Sequence, residues 1–466
     1  MISRLAVSVF AALALLAASA MASEDQQSAQ ASLSEAIDAS HNSSQLLQVA
    51  STAVRRGEPE IAIAAMERLV EIRPFNQAYA LQLAALYAES DKKPEAFTRL
   101  HTLQEQGMAA DLDAIPGLDN IRGYPLYSHL RDKMNEAYEE YGSLSKIAQL
   151  DREDFFAAAL AWREGDFLIG SIRSGEIVAI NDEGGNARTI VDSDQGRELG
   201  SISGLAFAPD GESFWATVNP LRQHVAYDSE AKAVARIYQF SLDGSVLREV
   251  ALPEEIAEGA QLADLVVDSQ GVVYSVDQAL ARVYRIHAGS DMVEVIGNAP
   301  RLTSLRAITL NDSEDKLVLA DFALGLILLD LSTGKPSVVG ASPMLNLGGI
   351  EALALRGTTL MAVQSAHSPQ RILSLELSED FSIVERGIVQ AKANPEMMYP
   401  MRGVIAGEQF VFVANSYLPL LGRGGSYSDQ PSFEPAALFG VPVAPSIGHQ
   451  LPEQQTDLPP EMLRRR

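Results

Sequence analysis

The chain has 466 residues, 36 basic against 61 acidic side chains, a net charge of −25 and no cysteine. Its length predicts two or three domains at roughly 100–200 residues each, and 47% apolar with 21% charged residues excludes wholesale disorder. The acidity argues against a nucleic-acid partner or an anionic membrane surface, because like charges repel a phosphate backbone, and the missing cysteine removes disulfides, zinc–thiolate sites, iron–sulfur clusters and cysteine nucleophiles.

Residues 1–22 carry a single charge, Arg4, an apolar run from Leu5 to Ala18 broken only by Ser8, and the triplet Ala20-Met21-Ala22. A charged start, a short apolar core and small residues at the cleavage position predict a secretory signal peptide. The run is shorter than the ~20 apolar residues that span a bilayer. The expected protein is exported across the inner membrane, periplasmic or extracellular, with no transmembrane anchor after signal removal. Residues 23–44, rich in Ser, Gln and Ala, read as a linker or weak helix.

From 45 to 147 the pattern is helical and repeats. Val49, Ala53, Gly57, Ala62 and Met66 recur 34 residues later as Leu83, Tyr87, Asp91, Ala96 and Leu100. Ala62 and Ala96 are small where two helices cross, Gly57 and Asp91 fall in the turn between them, and Pro74 closes the first unit. This resembles the tetratricopeptide family at two adjacent units, Leu46–Pro74 and Gln77–Gln106, and the likeness implies a docking stack for a protein partner. Ile121, Leu126 and Leu130 then mark one apolar helix face, a capping segment expected to run on towards Ile147.

Over 151–443 the period becomes strand-like. Leu205–Thr217, with its Pro209-Asp210-Gly211 turn, returns as Leu265–Asp277, and weaker copies begin at Leu160, Ile308, Leu353 and Val404. Third strands follow at Ile177–Ile180, Ile237–Phe240, Val283–Ile286, Leu326–Leu329, Ile372–Leu375 and Leu438–Val441. Six copies at intervals of roughly 40–60 residues predict radial four-stranded blades. The fold class is therefore α plus all-β, a short helical repeat stack followed by a six-bladed β-propeller. Residues 444–466, Pro-rich and polar towards the end, are expected to be a flexible tail.

Ser203-Gly204-Leu205-Ala206-Phe207, Gly349-Ile350-Glu351-Ala352-Leu353, Leu360-Met361-Ala362-Val363-Gln364 and Phe412-Val413-Ala414-Asn415-Ser416, in this order, resemble the senescence-marker-protein/gluconolactonase/luciferin-regenerating family, and more loosely the NHL-type propellers. The resemblance implies a divalent metal held by Glu, Asn and Asp that activates water against a lactone carbonyl.

Aligning the repeats places one polar residue per blade at the end of the second strand: Ser171, Asn219, Asp277, Asp321, Gln364 and Asn415. A second ring, at the start of the first strands, holds Ser203, Ala263, Arg306, Glu351 and Arg402. These rings are the candidate ligand site, though Asp and Asn also end strands simply because they favour turns. Glu351, Asp277, Asp321 and Asn415 are the candidate metal ligands, for calcium, magnesium or zinc. The family's Asn-Gly and Asp-Gly positions are here Ser203-Gly204, Ala263-Asp264 and Glu351-Ala352, so the implied triad is not intact. Arg306 and Arg402 favour a small anionic ligand, since guanidinium pairs with carboxylate in a fork. The insertion Asn219–Ala235 is placed to cover the mouth. Two functions remain open: an exported binding or scaffolding protein, and a metal-dependent hydrolase of a lactone or related ester.

Overall fold

The structure is a computed structural model that describes residues 33–181, 185, 187–231, 233–299, 301–428, 433–443 and 449–450. The expected signal peptide, part of the linker and nearly all of the tail lie outside these residues. The chain divides into two compact units, one helical (up to Gln104, with Asp111–Lys133) and one of β-sheet (Glu105–Ala110 and from Met134).

The helical unit contains α1 (Ser43–Arg56), α2 (Pro59–Ile72), α3 (Gln77–Glu89) and α4 (Lys93–Glu105), with residues 33–39 also helical. Both α3 and α4 start 34 residues after their counterparts α1 and α2. Asn42 and Asn76 cap the first helix of each hairpin by accepting the N–H of Gln45 and Tyr79. The hairpins turn at Gly57 and Asp91, both left-handed with φ of 69° and 62°. Buried Ala53, Ala62, Met66, Leu83, Tyr87, Ala96 and Leu100 fill the interior between hairpins, so the repeated positions are packing positions. Two short 3-10 turns and α5 (Pro125–Glu136) follow.

The second unit is a six-bladed β-propeller. Its blades, in chain order, comprise β2–β5 (from Ala157 to Val191), β6–β9 (from Ser201 to Ala251), β10–β13 (from Leu262 to Gly297), β14–β17 (from Leu305 to Val338), β18–β21 (from Ile350 to Lys392) and β22–β24 (from Met401 to Pro442). All neighbours within a blade are antiparallel. The first strand of each blade is innermost and lies beside the first strand of the next, and β22 meets β2 to close the ring. Faces left bare on one blade are buried on its neighbour: Ile177, Ile202, Phe214 and Phe240 form the layer between blades one and two.

One element departs from expectation. The helical pattern does not reach Ile147: α5 ends at Glu136, and Ser145–Gln149 is a strand, β1, paired with β24 as the outer strand of blade six. The last blade takes three strands from one end of the chain and one from before blade one. That pairing needs a partner some 290 residues away, so local period could not reveal it.

Candidate functional site

The first strand of every blade carries a β-bulge at the same height. The pairing register skips one residue between Ala157 and Ala159, Ile202 and Gly204, Leu262 and Asp264, Leu305 and Ala307, Ile350 and Ala352, and Met401 and Gly403. The skipped residues are Ala158, Ser203, Ala263, Arg306, Glu351 and Arg402, so the five residues of the second ring read from the sequence are bulge positions, and Ala158 is the sixth. A bulged residue leaves the ladder and re-aims its side chain and peptide. Here six of them ring the channel.

Arg402 fills the ring. Its Nε donates to the Ser203 carbonyl (2.9 Å), Nη1 to the carbonyls of Arg306 (3.0 Å) and Glu351 (2.5 Å), and Nη2 to that of Ala263 (2.8 Å). The guanidinium is buried and bound to four blades besides its own, with four of its five N–H donors given to backbone carbonyls rather than facing an anionic ligand as the sequence led us to expect.

Glu351, 1% exposed, stands beside it. Its Oε1 accepts the Tyr399 hydroxyl at 3.1 Å and lies 3.7 Å from Arg306 Nη1, while Oε2 is buried with no hydrogen-bond partner. Arg306 Nη1 donates to Gln278 Oε1 at 2.8 Å, its guanidinium lies 4.8 Å from the centre of the Phe322 ring, and its buried Nε has no partner either. Burial first, and then the Glu351 charge, push the Tyr399 phenol above its ordinary value, so it stays a donor. Asp264, next to the Ala263 bulge, is pushed up by desolvation against the pull of Arg402. Ala393, Tyr399 and Arg402 all have left-handed φ, at 51°, 61° and 33°.

The first ring is different in kind. Asp277 Oδ1 accepts the N–H groups of Gln261, Ala279 and Leu280, and Oδ2 accepts the Tyr284 hydroxyl. Asp321 accepts from Thr303 N and Oγ1, Ser304 N, Ala323 N and Leu324 N. Asn219 bonds the Leu262 peptide on both sides and Ser203 Oγ, tying blade two to blade three. Gln364 bridges the carbonyls of Asn346 and Gly348 to the Arg371 guanidinium. Asn415 spans the Glu434 and Pro435 carbonyls and the Ala437 N–H, and Ser171 Oγ caps the turn at Arg173 and Ser174. All six are buried, and the hydrogen bonds above engage each of them within the protein. The quartet Glu351, Asp277, Asp321 and Asn415 therefore does not converge, and no group of three His, Asp or Glu side chains able to hold a metal ion is assembled among the described residues. Of the sequence candidates, Glu351 and Arg306 remain with buried atoms that await a partner.

An aromatic cluster adjoins the mouth. Phe156, Ile172, Leu221, Tyr417 and Phe433 pack with Ala158 and Met401, and Tyr399 packs against them. Phe433 meets Tyr417, Tyr427 and Phe156 at ring separations of 4.9–5.2 Å. The insertion after Asn219 contributes Leu221 and is held by Val225 N to the Arg173 carbonyl and by Gly424 N to the Arg222 carbonyl. Gln278 and Phe322 each directly follow an aligned strand-end residue, Asp277 and Asp321, but differ in chemical type, so the repeat places them without marking a role; Tyr399 lies in the loop between Lys392 and Met401, where its one signal is a tyrosine before Pro400.

No family model and no curated protein matches this chain. Similar solved structures include a PQQ-bound aldose sugar dehydrogenase from Streptomyces coelicolor (12% identity, TM-score 0.43, 64% of this chain and 98% of that one). A streptogramin B lyase is comparable (12%, 0.42, 64% and 97%), as is a nidogen/laminin complex (16%, 0.39, 50% and 79%). Likeness at this level concerns the fold alone, which the strand order already establishes. No helix among the described residues is long and apolar enough to cross a membrane.

Proposed function

We propose that this is an exported binding protein: its propeller holds a small polar ligand at the Glu351 mouth, and its helical hairpins, read as tetratricopeptide repeats, dock a protein partner. One observation carries the ligand reading. Glu351 Oε2 and Arg306 Nε are buried on neighbouring side chains without partners, and an orphaned buried polar atom costs about 1–3 kcal/mol. A ligand that offers a donor and an acceptor on adjacent atoms, as a hydroxy acid, a vicinal diol or a carboxamide does, satisfies both at once. The docking reading rests on the 34-residue hairpin period and on an apolar groove of about 380 Å³ between helices, lined by Leu47, Val54, Met66, Leu86, Ile115 and Pro116. Export rests on the pattern of residues 1–22.

The test is a thermal-shift and calorimetric screen of purified protein against hydroxy acids, polyols, amides and lactones. A ligand is expected whose affinity falls at least tenfold on Glu351→Gln and on Arg306→Met. Binders indifferent to both substitutions refute the site. Metal-dependent turnover of a lactone that is lost on Glu351→Gln replaces the binding reading with the hydrolase.

A further inference from the structure

We propose that Arg402 is the resident cation of the channel: its guanidinium occupies a cation site built by the bulge carbonyls, and the mouth is organised without a metal ion.

The bulges make the site. Each removes a residue from the ladder pairing, so its carbonyl needs another partner. Four such carbonyls, from Ser203, Ala263, Arg306 and Glu351, belong to four different blades yet lie within 2.5–3.0 Å of the nitrogens of one side chain. Oxygen dipoles converging on one small volume repel one another and attract a cation; rings of backbone carbonyls hold desolvated cations on this principle. Guanidinium suits the task because it is planar, permanently charged and carries five N–H donors, four of which are used here. Asp264 lies near enough for the Arg402 charge to pull its carboxyl down against the desolvation that pushes it up. Arg402 holds a left-handed φ of 33°, a strain that the four bonds sustain. Arg402 is thus a positioning residue. It fixes the peptide of Glu351, and with it the carboxylate whose Oε2 is unpartnered, and it pulls five blades onto one point.

The test compares Arg402→Ala and Arg402→Lys with the wild type in the full chain. The alanine variant leaves four carbonyls facing an uncharged space. It is expected to melt well below the wild type and to recover several degrees in low-millimolar methylguanidinium, but not in tetramethylammonium, which has the same charge without N–H donors. The lysine variant, with three donors on one nitrogen for four separated carbonyls, is expected to fold and melt between the two. Wild-type melting is expected to be unmoved by methylguanidinium at that concentration and by EDTA. If the alanine variant does not fold on its own, the yield on refolding in methylguanidinium against tetramethylammonium gives the same readout. An alanine variant as stable as wild type, absence of a methylguanidinium-specific gain in either melting or refolding, a lysine variant equal to wild type, or a wild-type melting temperature lowered by EDTA each overturns the proposal. None of these outcomes depends on the ligand reading of Glu351, so the two stand or fall separately.

Discussion

Residues of one chemical type do opposite work in this molecule. Asp321 and Glu351 are both buried carboxylates near strand ends, but Asp321 receives five hydrogen bonds from its own and a neighbouring turn, whereas Glu351 keeps one oxygen unpaired. Asp321→Ala is expected to cost about 3 kcal/mol, since it removes charge-assisted bonds and strands backbone N–H groups. A urea-denaturation midpoint within error of wild type counts against that structural role. His367 offers a pH signature. Burial, and then the Arg371 charge, hold its imidazole down at about 4, so the neutral ring is the folded form. The stability this gives is complete above the ordinary value near 6.5 and is lost as pH falls from there towards 4, amounting to about 3 kcal/mol. Urea midpoints measured across that window are expected to fall more steeply for wild type than for His367→Asn; parallel curves refute the assignment.

At the scale of elements, the repeats were legible because blades one to five each restate one order of strands and turns, and blade six its first three strands. Third strands and turn positions follow directly from the alternation of apolar residues and the Pro-Asp-Gly or Ser-Gln-Gly breaks. The helical hairpins were legible through their small residues and turn positions. The strand β1 was not: a five-residue run, Ser145–Gln149, following a helix has no period long enough to separate it from a helix tail. Its contribution is measurable. A fragment that starts at residue 134 keeps β1 and covers the outer edge of β24, while one that starts at residue 152 leaves that edge bare in a blade of three strands. The longer fragment is expected to melt several degrees higher and to run as a monomer in gel filtration. Equal melting of the two would show that ring closure does not rely on β1.

For the whole molecule, the amino-acid sequence determined the blade number, the order of helical and sheet units, and the polarity of both rings, because these depend on local period and on residue type at repeated positions. It did not determine which ring faces a ligand. Ser171, Asn219, Asp277, Asp321, Gln364 and Asn415 look identical in pattern to a binding ring, and only the tertiary structure shows their polar atoms engaged by backbone and side chains of the protein itself. The reverse holds for Arg402. In sequence it is one arginine at the start of a strand; in the folded ring it meets the carbonyls of residues 51, 96, 139 and 199 positions away. The chain's net charge of −25 sets a long-range repulsion towards other anions, which composition alone fixes. Where a buried charge sits, and whether an oxygen beside it goes unpaired, is decided by closure of the ring, because only closure brings six distant bulges to one axis.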